Sequence, residues 1–378
     1  MSKTYWWLIS SLLSLLLIAI LIFQWSKMNA HEIDTRQLVD HQAVVSALDE
    51  IWMVHPPAND SSPLYIKTGL FIQSLNFSNS SDVNLSGYLW QHYEDGVHDA
   101  FKPAENEAGF IFPEQVMTGS DIPPSLAYRY KTENGEVLGW YFEATLRQNF
   151  DYDKYPFDHK TVWIRLWPKA FSSNLVLVPD FDSYNATGIN DTFGIDDSIV
   201  LGAWNRENTY FDYKNYSYTT NFGIPDYTGQ HNWPELHFNI VIKRKFSNAF
   251  TIYLLPLLLV ATLLFAALLT VSEDDTKANR LGFNASGFMG ACSALFFVVM
   301  LAHIQLREKF AAAGVVYIEY FYILMYGLLV AATANTYLFS VRAPILARVV
   351  CYQDNLIAKV AYWPILLLSL TAITAKFS

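Results

Sequence analysis

The chain has 378 residues, of which 52% are hydrophobic and 16% charged, and its formal net charge is −10 at pH 7. An ordinary soluble domain has roughly 25% charged residues, so this composition argues against a purely soluble protein. Residues 246–378 contain six acids and eight Lys/Arg, which leaves 29 acids and 17 bases in residues 1–245. An acidic half therefore precedes an apolar half. The negative charge of the acidic half either attracts cations or keeps that half soluble.

The first segment is an apolar run from Trp6 to Phe23, after a short leader that carries Lys3. Such a run is typical of either a signal peptide or an uncleaved signal anchor. Small residues near Ala30 slightly favour cleavage. Residues 1–30 are therefore predicted to target the following segment for export.

Residues 31–245 show the pattern of a β-rich domain. A short helix is predicted at 38–53, and runs of aromatic and β-branched residues follow, separated by turn signals such as Asn134-Gly135. The predicted strands are 65–77, 87–93, 126–131, 138–150, 161–167, 175–179, 210–222 and 235–245. Because no helical pattern separates them, we predict a β-sandwich. Both cysteines, Cys292 and Cys351, lie outside it, so no disulfide is expected there.

Residues 246–378 contain four apolar runs long enough to cross a bilayer, at 249–270, 281–306, 317–340 and 360–374. The connections are short, so neighbouring helices are expected to be antiparallel. The loops at 271–280 and 341–359 carry Lys/Arg, which favours a cytoplasmic position for them. The predicted fold class is thus a β-sandwich on the extracellular or periplasmic side, followed by a four-helix transmembrane bundle in the inner membrane, with an extra N-terminal hydrophobic segment.

The most specific motif is Tyr155-Pro156-Phe157-Asp158, directly before a predicted strand. Proline fixes the backbone, and the two aromatic rings favour burial, so this loop tip is suited to pressing against an apolar surface. Asp158 then needs a cationic partner, and Arg244, directly before the first membrane run of the apolar half, is the natural candidate.

The motif resembles the aromatic-Pro-Phe-Asp loop of the pentameric ligand-gated ion channel (Cys-loop receptor) family. Gln148 and Val162 stand where animal members have paired cysteines, so the resemblance is to the prokaryotic type. Other similar pieces follow in the same order, and they are Thr68-Gly69, Gly87-Tyr88-Leu89-Trp90, Phe112-Pro113-Glu114, Trp204, and Arg244 twelve residues before Pro256. The segment after Arg280 is longer than in typical members, and no proline ends the second membrane helix.

The resemblance implies a homopentamer in a lipid membrane, opened by a small-molecule or proton agonist and conducting ions. Coupling residues would be Tyr155, Pro156, Phe157, Asp158, Arg244 and Pro256. Counting at 3.6 residues per turn along the second helix gives the candidate pore lining, or alternatively a close-packing face, as Gly282, Ser286, Met289, Ser293, Phe296 and Met300.

Three acids at the cytoplasmic mouth, Glu273, Asp274 and Asp275, would favour cations unless Lys277 and Arg280 cancel their effect. His303, inside the second run, is a candidate proton sensor or a hydrogen-bonded helix-end residue. An aromatic cage for a cationic amine is implied between subunits, from Trp90, Tyr93, Phe112, Phe171, Tyr227 and Trp233. Each of these rings could instead belong to the core.

Two other functions compete with the channel. A non-conducting membrane receptor or scaffold would keep the fold without a functional pore, and the bulky Phe296 and Phe297 favour it. A membrane enzyme is disfavoured because the sequence has no G-x-S-x-G, H-E-x-x-H, P-loop or paired-cysteine metal motif. We accordingly expect no cofactor, no metal and no nucleic-acid partner.

Overall fold

The computed structural model describes residues 2–30, 36–54, 56, 63–95, 108–117, 122–171, 173–224, 232–274, 276, 279–280, 282, 284–310, 314–342 and 347–378. The chain divides into two compact units. The first, called here the β unit, comprises Glu32–Phe150 and His159–Lys243. The second, called the helical unit, comprises Met1–His31, Asp151–Asp158 and Arg244–Ser378.

Helices, then strands, then helices follow one another along the described residues. The first helices are α1 (Lys3–Met28) and α2 (His41–Val54). The strands are β1 (Leu64–Phe77), β2 (Asp82–Glu94), β3 (Phe110–Ile111), β4 (Ser125–Thr132), β5 (Gly135–Arg147), β6 (His159–Pro168), β7 (Leu175–Pro179), β8 (Trp204–Tyr216) and β9 (Trp233–Arg244). The later helices are α3 (Phe246–Thr270), α4 (Ala285–Lys309), α5 (Glu319–Val341), α6 (Ala347–Val350) and α7 (Leu356–Phe377).

The β unit contains two sheets that share one hydrophobic core. The strand orders are β4-β5-β2-β1-β7 and β3-β6-β9-β8. The pair β1–β7 is parallel, whereas β1–β2, β2–β5, β4–β5, β3–β6 and β6–β9 are antiparallel. Core side chains come from both sheets, including the fully buried Phe142 and Phe238. Each such ring contributes about 1.5–3 kcal/mol by leaving water.

Alternation along each strand decides which side chains reach this core. In β6, Val162, Ile164 and Leu166 are buried in it, and the residues between them point the other way. Close strand pairing also requires a glycine in β2. A Cβ at Gly87 would lie 2.2 Å from the carbonyl oxygen of Phe71 in β1.

The helical unit contains five helices that are long and apolar enough to cross a membrane, namely α1, α3, α4, α5 and α7, among the residues described. These include the N-terminal run and the four later runs of the sequence prediction. α3 contains a π-helical stretch at Phe250–Leu254, which ends two residues before Pro256. Proline lacks an N–H and cannot make the ordinary i→i−4 bond, which accounts for an irregular turn at this point.

Most observed elements begin or end a few residues from their predicted bounds, and β3 (Phe110–Ile111) lies outside the predicted strands. α4 begins at Ala285 and not at 281, because the Asn284 side chain caps it by accepting a hydrogen bond from the Gly287 amide at 2.5 Å. α7 extends over Leu356–Phe377 and exceeds the predicted 360–374. β8 covers Trp204–Tyr216, whereas the strand was predicted at 210–222.

Candidate functional site

The loop Asp151–Asp158 belongs to the helical unit and is fixed there by a buried ion pair. Arg244 Nε donates to Asp158 Oδ1 at 2.6 Å, and Arg244 Nη2 donates to Oδ2 at 2.8 Å. The two side chains are only 6% and 3% exposed. The Tyr155-Pro156 peptide bond in this loop is cis. The structure thus forms the ion pair that the sequence predicts, in the bidentate geometry that also fixes orientation.

The tip of this loop lies on the ends of two membrane-length helices. The ring of Tyr155 is fully buried. Its centroid lies 4.6 Å from the ring centroid of Phe310, directly after α4, and 5.9 Å from that of Tyr253 in α3. Phe157 stacks on Phe246, the first residue of α3, with ring centroids 5.0 Å apart. Burial of these rings away from water is what holds the tip in place.

Further contacts hold the same loop, one of them from the residues just before α5. The amide of Tyr317 donates to the Asp153 carbonyl at 2.8 Å. The guanidinium of Arg244 lies 4.6 Å from the centre of the Tyr155 ring, which adds a cation–π contact to the ion pair. Burial raises the pKa of the Tyr152 hydroxyl from its usual value near 10 to about 12. The loop is therefore anchored to α3, α4 and α5 together.

One face of α4 is exposed in the single chain. The inward face carries Phe288, Cys292, Val299 and Leu306. Ser286 and Ser293 lie on the exposed side, as the predicted pore stripe requires, and the Ser293 hydroxyl donates to the Met289 carbonyl at 2.9 Å.

The bulky members of the predicted stripe lie toward the flanks of that exposed face. Phe296 packs its ring 5.4 Å from Tyr326 of α5, and Met289 and Met300 are half-buried. Phe297, which the stripe omitted, is 58% exposed and lies on the same face as Ser293. Gly282, another member of the predicted stripe, lies before the first residue of α4, in a turn with a φ of +67°.

The acidic loop after α3 is held by a carboxylate that the sequence prediction did not single out. Asp354 accepts from the Glu273 amide at 2.7 Å and from the Ser272 hydroxyl at 3.1 Å. Glu273 and Asp274 are exposed. The third predicted acid, Asp275, and the nearby Lys277 lie outside the described residues.

His303, the candidate proton sensor, lies in α4 beside α5. Its Nδ1 is 3.2 Å from the Tyr326 hydroxyl, its Nε2 is 4.0 Å from a Glu319 carboxylate oxygen, and its ring stacks on Tyr322. These contacts are those of a hydrogen-bonded residue near a helix end, which the sequence left as the second possibility.

The predicted aromatic cage is not brought together as a set. Tyr93 and Phe112 are buried in the β-unit core, where the Tyr93 hydroxyl donates to Gln91 at 2.6 Å. Trp90 covers Gly69, and its Nε1 donates to Asp180 at 2.8 Å. These three side chains have structural roles in the single chain. Tyr227 lies outside the described residues.

Phe171 belongs instead to an aromatic cluster that includes residues missed by the sequence prediction. Its ring centroid is 5.6 Å from that of Trp167 and 5.8 Å from that of Phe222. The ring centroids of Trp167 and Tyr218 are 5.6 Å apart. Phe222 is exposed. Trp233 lines a small notch of about 20 Å³ together with Trp167 and Phe171. We call Trp167, Phe171, Tyr218 and Phe222 the aromatic cluster.

Charged side chains lie next to the aromatic cluster. Arg165 pairs with Glu114 and, at 3.4 Å, with Glu235, and its guanidinium lies 4.4 Å from the centre of the Tyr216 ring. The Tyr218 hydroxyl donates to Glu235 at 2.5 Å. Burial raises the pKa of both Glu114 and Glu235, with Arg165 acting in the opposite direction. Two partly desolvated carboxylates thus share one guanidinium beside exposed aromatic surface.

The strand alternation of β6 could have identified this group. Trp163, Arg165 and Trp167 are the residues that alternate with its buried positions, and they face away from the core. Among the described residues, no group of three or more His, Cys, Asp or Glu is arranged to hold a metal ion. The chain matches no model of a known protein family, and no curated protein matches it.

Proposed function

We propose that the chain is one subunit of a homopentameric ligand-gated ion channel. In this proposal an exported β-sandwich, formed by the β unit, binds the agonist, and a transmembrane bundle that includes α3, α4, α5 and α7 carries the pore. The observation that carries the proposal is the loop tip of Tyr155 and Phe157, tied by the buried Asp158–Arg244 pair to the start of α3. The resemblance of this loop to the coupling loop of the channel family adds to it.

Chain connectivity gives this site a mechanical role. Asp158 is followed directly by β6, and Arg244 is the last residue of β9. β6 and β9 pair with each other in register, with His159 opposite Lys243. A shift of this strand pair on agonist binding would therefore pull both partners of the ion pair, and with them the first turn of α3. Rigid transmission of this kind can bias a two-state pore.

The exposed face of α4 supports its assignment as the pore helix. Small and hydroxyl side chains, Ser286 and Ser293, lie toward its beginning, and Phe297 lies further along the same face. Repeated around a five-fold axis, the serines would line a wetted segment and the phenylalanines an apolar constriction that gates by dewetting. Glu273 and Asp274 precede α4 and would attract permeating cations.

The aromatic cluster and its acids are the best-supported agonist site. Aromatic faces and a local excess of carboxylate, with Glu114 and Glu235 against Arg165, favour a small organic cation. Protons are the alternative agonist, since the two carboxyls have raised pKa values. In either case the β unit would lie on the periplasmic or extracellular side of the inner membrane.

Recording from the purified protein in planar bilayers tests the proposal, with steps of pH and with added propylamine as probes. The key variant is Ser293→Cys in a background with Cys351→Ser, treated with a charged thiol reagent. Val298→Cys is the matched control, because Val298 is also exposed in α4 but lies on a different face. Discrete currents that the reagent blocks only in the Ser293 variant are expected. Equal block in both variants would exclude α4 as the pore lining.

A non-conducting receptor is the second candidate, favoured by the exposed Phe297 in the middle of the proposed pore face. It predicts a pentamer, seen by native mass measurement, that carries no current with either probe. Changes in tryptophan fluorescence on adding propylamine, without current, would favour this alternative over the channel.

A further inference from the structure

The N-terminal helix α1 packs along α7 inside the helical unit. Near its beginning, the Ser10 hydroxyl donates to the Val360 carbonyl at 2.5 Å. Near its end, Trp25 Nε1 donates to the Tyr317 hydroxyl at 2.7 Å, and that hydroxyl is hydrogen-bonded to Thr374 at 2.7 Å. The early part of α1 thus meets the early part of α7, and the late part meets the late part. The two helices run parallel over their length.

The side chains of α1 that face other helices recur at alternating intervals of three and four residues. The partly or fully buried positions in this series are Trp7, Ser10, Ser14, Leu17, Leu21, Gln24 and Met28. This is the a/d spacing of a helix seam. The polar residues of this seam face other helices, whereas Leu12 and Phe23, outside the seam, are among the most exposed apolar residues. Such an arrangement suits a helix that packs within a bilayer, where small and polar side chains lie at helix interfaces.

Trp25 brings α1 into the loop site described above. Its ring centroid is 5.7 Å from that of Phe157 and 5.8 Å from that of Phe246. Together with the hydrogen bond to Tyr317, it therefore contacts the loop tip, the start of α3 and the residues before α5. The same helix also forms one wall of an apolar cavity of about 240 Å³, to which Ile18 and Leu21 contribute.

We propose that α1 is retained in the mature protein as a further membrane helix and that Trp25 is a positioning residue for the loop tip. An export signal needs only an apolar run, and it requires neither a seam of small and polar residues nor a tryptophan that contacts Phe157. Cleavage near Ala30 would remove both the seam and the contact. Retention of α1 is a property of how the helical unit is built, and it does not depend on whether the protein conducts ions.

The first test is the intact mass of the full chain, expressed with its own N-terminus and purified from membranes. The complete chain has a mass of 43.1 kDa. A mass that includes residues 1–30 is expected. A product that begins after Ala30 would overturn the proposal.

The second test measures hydrogen–deuterium exchange in the loop, which requires no channel activity. Trp25→Ala should speed exchange of the amides of Tyr155, Phe157 and Tyr317 at least tenfold, because these amides are bonded within or to the loop. Trp6→Ala is the matched control, since Trp6 is 37% exposed on the same helix and lies outside the seam. Peptides from β2 should exchange alike in both variants.

A tryptophan that merely stabilises the fold would alter exchange throughout the helical unit, and not in the loop alone. If Trp25→Ala yields no folded protein, Trp25→Phe carries the same comparison, because it keeps an aromatic ring against Phe157 while it removes the donor to Tyr317. Equal loop exchange in the Trp25 and Trp6 variants would refute the positioning role.

Discussion

Neutralising Asp158 tests the ion pair at the centre of the proposed coupling site. In Asp158→Asn the side chain keeps its shape but leaves the Arg244 guanidinium buried beside a neutral amide. Removing one partner of a buried pair costs about 3–5 kcal/mol. We expect about 3 kcal/mol here, because the Asn oxygen can still accept one of the two hydrogen bonds and Arg244 keeps its contact with the Tyr155 ring.

Hydrogen–deuterium exchange of the Arg244 backbone amide reports this loss of stability locally, since that amide donates to the Asp158 carbonyl. At about 1.4 kcal/mol per factor of ten, a loss of 3 kcal/mol corresponds to roughly a hundredfold lower protection. The double variant Asp158→Asn with Arg244→Gln removes both charges and should recover at least half of the lost free energy. Protection within threefold of the wild type in the single variant would show that the pair does not hold the loop.

Three further outcomes are expected in the β unit. Burial raises the folded-state pKa of Glu235, so the folded state binds a proton more readily than the unfolded state does. Stability should therefore rise as pH falls through that raised pKa and level off below the usual value of 4.5, and Glu235→Gln should flatten this rise in thermal melts. Gly87→Ala should cost about 3 kcal/mol in chemical unfolding, because the added carbon must push β1 and β2 apart. Trp167→Ala should raise the half-maximal propylamine concentration about tenfold in bilayer recordings, whereas the exposed Tyr130→Ala should leave it unchanged.

The local sequence pattern was sufficient to predict the features that depend on a single segment of the chain. Alternation in β6 and uniform apolarity in α3 or α5 reflect how a single strand or helix is buried, so the strands and membrane-length helices could be predicted from the chain. The pairing of Asp158 with Arg244 was also predictable. A buried carboxylate needs a cation, and few cations border the apolar half.

The residues of the proposed agonist site were less predictable, because hydrophobicity indicates that a side chain is buried without indicating which side chains it packs against. The β unit is rich in aromatic residues, and a ring such as Phe112 fits equally well in a core or a cage. Only the pairing of β6 with its neighbours brings Trp167 beside Tyr218 and Phe222, which lie about fifty residues further along the chain. These contacts depend on the sheet register, which no single segment contains.

The division into an acidic β-rich half and an apolar helical half can be read from the amino-acid sequence alone, and so can the loop motif and its ionic partner. Tertiary structure sets which face of α4 is exposed, because the helical period shows which side chains share a face and only the neighbouring helices show whether that face is covered. It also decided the place of α1. An apolar run of that length is compatible with a signal and with an anchor, whereas a seam that fits α7 and a tryptophan on Phe157 exist only once the helices are packed together.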